Sequence, residues 1–149
     1  MSQENVEIVK RVVEAFNAHD VEQWLSFYDP EFEFVDHMGA VAEERGSGIE
    51  AIRRQVEGWF DAFPDFRASV EEYIDAGDRV VCVTTWQGTG AGSGLPYYQQ
   101  AAEVTTVRNG KIVYAELGLA DRAAALEAAG LREEGAHVTG PPRPLPGSG

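Results

Sequence analysis

Val6, Val9, Val13 and Phe16 recur at helical spacing near the start of the chain and predict an amphipathic helix over residues 3–18. Asn17-Ala18-His19 breaks that period, and Asp20 opens a second helix with Gln23 at the capping-box position. Trp24, Leu25, Phe27 and Tyr28 form its apolar side, and Asp29-Pro30 turns the chain. The period then changes. Residues 32–38, FEFVDHM, alternate as a strand does, with Phe32, Phe34 and Asp36 on one face. After a loop from Gly39 to Gly48, Ser47 and Glu50 form a capping-box pair. They open a third helix, with Ile49, Ile52, Val56, Trp59, Phe60 and Phe63 on its apolar side and Pro64 as its stop.

Four strands follow as a meander over about residues 66–75, 79–88, 96–108 and 111–119. Asp75-Ala-Gly-Asp78 and Asn109-Gly110 are its hairpin turns, the second with the strong type I′ signature. GTGAGSGLP, residues 88–96, is a loose connection. Residues 121–129 read as a short helix capped by Asp121 and stopped by Gly130. The order α-α-β-α-β-β-β-β-α implies an α+β domain: a mostly antiparallel sheet with helices on one face. The domain is expected to cover residues 1–134, and the Gly/Pro-rich tail 135–149 to be unable to pack.

The second meander strand is apolar on both sides: Val80, Cys82, Thr84 and Trp86 on one, Val81, Val83, Thr85 and Gln87 on the other. One side can cover a helix-side cavity. The other also needs a cover, either a second copy of the sheet or a folded-back terminal helix. A homodimer through that open face is therefore expected, with Trp86 placed at it.

Charge narrows the function classes. The net charge of −13, from 25 acids and 12 bases, opposes binding to nucleic acid or an anionic membrane. No apolar run is long enough to span a bilayer and no signal-peptide core opens the chain, so a cytoplasmic protein is expected. Cys82 sits in the apolar run VVCVTTW and reads as core, not nucleophile. His19, His37 and His137 lack ligand spacing, so no metal is expected, and no nucleotide-binding motif points to a cofactor. His37 points to the face opposite Asp36, and Arg53 and Arg54 fall on the solvated side of the third helix.

Two acids stand out. Asp36 lies on an aromatic face, where a carboxylate is costly unless it is paired or its pKa is moved. Glu103 is the lone acid on a mixed stripe with Tyr97, Gln99, Ala101, Thr105 and Val107. Two carboxyls in one apolar cavity push each other's pKa apart, giving an acid and a base at one pH.

The first helix ending FNAHD, the stretch WLSFYDPEFEFVD, and RNGKIV followed by LEAAGL together resemble the NTF2-like superfamily, and within it the SnoaL-like proteins, over roughly residues 4–132. The resemblance implies a cone: a curved sheet wrapped around a long N-terminal helix, with a deep apolar pocket for a small hydrophobic molecule. Similarity to the ketosteroid isomerases within that superfamily puts Asp36 on the general base and Glu103 on the second pocket acid, which donates a hydrogen bond to an enolate. Val12 and Val56 stand where those enzymes carry tyrosines, and Tyr28 is the hydroxyl that would substitute. The expected substrate-binding wall is Val12, Phe16, Val56, Trp59, Phe60, Val83, Thr85, Tyr97 and Leu117. The implied activity is isomerase- or cyclase-type proton transfer on a carbonyl compound such as a polyketide, terpenoid or steroid-like molecule. A ligand-binding or dimeric association module and a water-activating hydrolase are the alternatives. The acids of the last strand do not fit a cyclase base: Glu116 faces away from the pocket and Asp121 is a helix cap.

Overall fold

The computed structural model describes residues 2–37 and 44–131. The expected boundary at residue 134, the tail 135–149 and His137 lie outside the described residues. Ten elements follow in chain order: α1 (Ser2–Asn17), α2 (Val21–Leu25), β1 (Tyr28–Asp36), β2 (Glu44–Ser47), α3 (Ile49–Ala62), β3 (Arg67–Ala76), β4 (Arg79–Thr89), β5 (Pro96–Arg108), β6 (Lys111–Leu119) and α4 (Arg122–Ala128). The strands form one curved open sheet in the order β2-β1-β6-β5-β4-β3. Only β1 and β6 run parallel; every other neighbour pair is antiparallel. This is the α+β architecture that the periodicities imply. No helix among the described residues is long and apolar enough to cross a membrane.

The FNAHD stretch fixes α1 against the sheet. Phe16 buries its ring, and the Asn17 amide donates to the Ala68 carbonyl and accepts from the Ala68 N–H, each at 2.8 Å. His19 then takes a left-handed backbone with φ of 58°, stacks on Phe60 at 3.9 Å and bonds the Phe66 carbonyl. Asp20 caps α2 by accepting from the Gln23 N–H. These bonds anchor both ends of the α1–α2 corner, so the inner face of α1 lies over the sheet.

Three details depart from the sequence reading. Tyr28 begins β1 and does not end α2. Residues 44–47, expected as loop, add an edge strand to β1. Ser47 belongs to that strand and pairs with Glu33, so Gly48 caps α3 and no capping box forms. A Cβ on Gly46 would lie 2.6 Å from the Phe34 ring, which explains how β2 closes so tightly on β1. Phe34 stacks on Phe32 and cannot move aside freely. Gly46→Ala is therefore expected to destabilise the fold by about 1–3 kcal/mol, the usual range for overpacking. Urea unfolding measures it, and a loss below about 0.5 kcal/mol would show that this approach is not restrictive.

Two apolar clusters stabilise the sheet, one on each face. The larger joins α1, α2 and α3 to the concave face through residues such as Val9, Phe16, Phe32, Ile52 and Val80. The smaller packs Leu126 and Ala125 of α4 on Val81, Val104, Ile74 and Leu119. The helices are thus not all on one face. α4 covers part of the outer sheet face from within the chain, as the folded-back helix alternative required.

Candidate functional site

The concave face encloses a cavity of about 90 Å³ between α1, α2, α3 and the sheet. Val12, Phe16, Trp59 and Leu117 of the expected wall line it, as do Tyr28 and Glu103. Val56 is fully buried but is not part of the lining. Phe60 stacks on His19 at the adjoining α1–α2 corner. Tyr97 packs on Phe63 at 5.0 Å and borders a separate outer cleft, its hydroxyl donating to Gln99.

Val83 and Thr85 are corrections. They lie on the outer side of β4, where the Thr85 hydroxyl donates to Glu71 at 2.6 Å, and they do not line the cavity. Trp86 is a second correction. It is not at an outer face but in the cavity wall, stacked on Phe66 at 5.5 Å and edge-on to Phe16 at 5.6 Å. The physical reason is the α4 cover: it claims the Val81 side of β4, leaving Cys82, Thr84 and Trp86 inside.

Glu103 sits at the centre of this wall and is 6% exposed. Thr84 Oγ1 donates to its Oε1 at 2.7 Å, and the Trp86 indole N–H donates to its Oε2 at 3.0 Å. A third donor is the Gly118 N–H. It comes from a β-bulge: Ala102 faces Leu119 and Val104 faces Glu116, so Leu117 and Gly118 together oppose Glu103. Gly118 has φ of 70°, which glycine adopts without penalty, and its N–H is free of the ladder. Burial pushes the Glu103 carboxyl up to about 7; the three donors act against burial, and the charge of Asp36 adds to it. None of the described residues lining the cavity is basic.

Asp36 ends β1 and is 3% exposed. It pairs in register with Leu117, so β6 alone separates it from Glu103. Ordinary strand spacing then puts their Cα atoms about 9–10 Å apart. The Gln55 amide of α3 donates to Asp36 Oδ2 at 2.6 Å. Asp36 adjoins the cavity at Leu117 but is not part of its lining. The Tyr97 phenol is raised by burial and, second, by the charge of Asp36.

The other polar groups have the following surroundings. The Tyr28 ring packs on Trp24 and Phe32; burial holds the phenol well above its ordinary range, Cys82 adds to that, and a hydrogen bond from Trp24 opposes it. Burial likewise pushes the Cys82 thiol far up, with the Glu103 charge adding to it, so Cys82 stays a neutral wall residue. His37 and Glu116 pair at 3.0 Å. Asp121 caps α4 through the Ala124 N–H. Arg53 pairs with Glu22 and Glu50 on the solvated side of α3. Sequence reasoning missed Gln55, Thr84, Trp86 and Gly118. An isolated glycine inside an otherwise regular strand was the available sign of the bulge.

Residues 9–115 match the SnoaL-like domain family. Among solved structures, a hypothetical protein with a ketosteroid isomerase-like fold from Catenulispora acidiphila, in complex with trimethylamine, superposes with a TM-score of 0.67 at 19% identity, over 84% of this chain and 93% of its own. A candidate SnoaL-like polyketide cyclase from Jannaschia gives a TM-score of 0.67 at 23% identity, covering 76% of this chain and 83% of its own. TerC, co-crystallised with polyporic acid, gives 0.63 at 24% identity, covering 75% and 88%. No curated protein matches the chain. Similarity at these identities establishes a shared fold.

Proposed function

Since this chain belongs to the SnoaL-like domain family, we propose that it binds a small hydrophobic carbonyl compound and catalyses proton transfer next to its carbonyl. The observation that carries this reading is Glu103: a carboxyl inside an apolar cavity, with its proton affinity pushed up to about 7 and a second carboxyl one strand beyond it. Asp36 is the general base. The Gln55 amide donates to Asp36 Oδ2 and holds the carboxylate that takes the proton. Glu103 in its protonated form donates to the developing enolate oxygen, and the Tyr28 hydroxyl is a second donor to it.

The cavity limits the substrate. About 90 Å³ is less than the roughly 150 Å³ apolar cavity that admits benzene. A polyketide, terpenoid or steroid skeleton exceeds it, so the substrate is a compact carbonyl compound or the reactive end of a longer one. The test is deuterium uptake at the α-carbons of butanone in D2O, followed by NMR. Exchange above the buffer rate is expected. Its pH dependence has a definite sign. The donor form of Glu103 is lost as pH rises through about 7, so kcat/KM is expected to fall about tenfold per pH unit above that point. A flat profile from pH 6.5 to 9 would exclude Glu103 as the donor.

A second reading is a binding module without chemistry. It is favoured by the three donors already fixed on Glu103 and by Val12, a wall position without a hydroxyl. No exchange above buffer, together with a ligand-induced rise in melting temperature, would select it.

A further inference from the structure

We propose that the cavity is a receptor for a small tertiary or quaternary alkylammonium ion, held by the Glu103 carboxylate within a ring of aromatic side chains. The inference does not depend on the proton-transfer reading, because it uses the charge of Glu103 and not its proton.

Glu103 is satisfied in hydrogen bonds and unsatisfied in charge. Thr84 occupies Oε1, Trp86 occupies Oε2, and Gly118 supplies a third donor, leaving about one of the four lone-pair directions open. Yet among the described residues no basic side chain lines the cavity to balance the anion. A buried carboxylate in that position either takes a proton or acquires a cation. A primary ammonium brings three donors and needs three acceptors, which a nearly saturated carboxylate cannot provide. A methylated ammonium needs few or none. It offers charge and an apolar surface, which is what this cavity matches.

The aromatic lining supplies the rest of the recognition. Phe16, Trp24, Tyr28, Phe32, Trp59 and Trp86 all border the same space. Electron-rich ring faces attract quaternary ammonium groups, and desolvation strengthens that attraction. The volume of about 90 Å³ favours a compact cation over a fused ring system. The net charge of −13 favours approach of a cation.

The groups facing Glu103 from the packed elements leave its charge as the controlling feature. Asp36 and Tyr28 come from β1 and Cys82 from β4; Asp36 adds negative charge, while burial keeps Tyr28 and Cys82 neutral. The cavity residues of α1, α2, α3, β3 and β6 are apolar, and β5 adds only Thr105 beside Glu103.

Calorimetric titration with tetramethylammonium chloride and with tert-butanol, its neutral counterpart of similar size, tests this, using potassium chloride to match ionic strength. Tetramethylammonium is expected to bind more tightly than tert-butanol. Its apparent affinity should rise about tenfold from pH 6 to pH 8 as the competent, ionised form becomes dominant. E103Q should weaken tetramethylammonium binding at least tenfold. Equal affinity for the two probes, no binding of tetramethylammonium to the wild type, or binding indifferent to E103Q would overturn the proposal. Should E103Q fail to fold, the two probes on the wild type at pH 6 and pH 8 decide alone.

Discussion

Asp36→Asn is expected to slow α-proton exchange of butanone by ~10²–10⁴-fold, the usual contribution of a positioned general base. The substitution suits the site, because an asparagine side-chain oxygen can still accept from the Gln55 amide at the position of Oδ2. What it removes is basicity, since an amide does not take up a proton at neutral pH. KM for the ketone should change little, because the isosteric amide keeps the shape of the site and removes only an interaction made in the transition state. The two rates can be compared at matched protein concentration in D2O, with melting temperature as the control for folding. A variant that retains its fold and exchanges within threefold of the wild type would remove Asp36 from the mechanism. Nitroethane, a more acidic carbon acid of similar size, extends the measurement if butanone exchange is slow.

Glu103→Gln should have the largest effect on stability, and its sign depends on pH. The folded carboxyl binds its proton up to about 7, whereas an unfolded glutamate releases it near 4.5. Between those values the native state holds more protons than the unfolded state, so stability falls as pH rises through the window. A shift of this size corresponds to about 3 kcal/mol lost by pH 8. Glutamine fits the same network. Its carbonyl can accept from Trp86 and Gly118, and its amide can donate to the Thr84 hydroxyl, which reverses its own role. The variant should therefore equal or fall below the wild type near pH 5 and exceed it by up to about 3 kcal/mol at pH 8. Urea unfolding at both pH values measures the difference. A constant offset across the range would mean that Glu103 does not titrate abnormally.

The fold was legible where local chemistry and periodicity agreed. Asn109 and Gly110 both take positive φ, as a type I′ turn requires, and they set the ends of β5 and β6. Asp121 caps α4 through its own side chain. β2 was not legible, because Glu-Arg-Gly-Ser has neither alternation nor β-propensity. It forms because Gly46 lets β2 close over the Phe34 ring of β1. The candidate site was half legible. The family resemblance, and not alternation, put Glu103 in the pocket, and β4 offers two apolar faces of nearly equal quality. Which one turns inward is decided by α4, far along the chain, and that is why Val83, Thr85 and Trp86 were exchanged. The donors to Glu103 depend on the same choice, so Thr84 and Trp86 could not be recognised before it was made.

The bulge at Gly118 also bears on how such a pocket can change over generations. Glu116 lies on the outer side of β6, Leu117 points inward, and Leu119 lies outside again under α4. Removing Gly118 would therefore restore a regular strand with every neighbouring side chain still on its present side. Only the spare N–H would disappear, and with it one donor to Glu103. A single inserted codon can thus retune the acidity of a buried group while leaving the surrounding wall in place. In a family whose members share their architecture at low identity, variation in strand length is then a route to new chemistry, alongside substitution of the residues that touch the ligand.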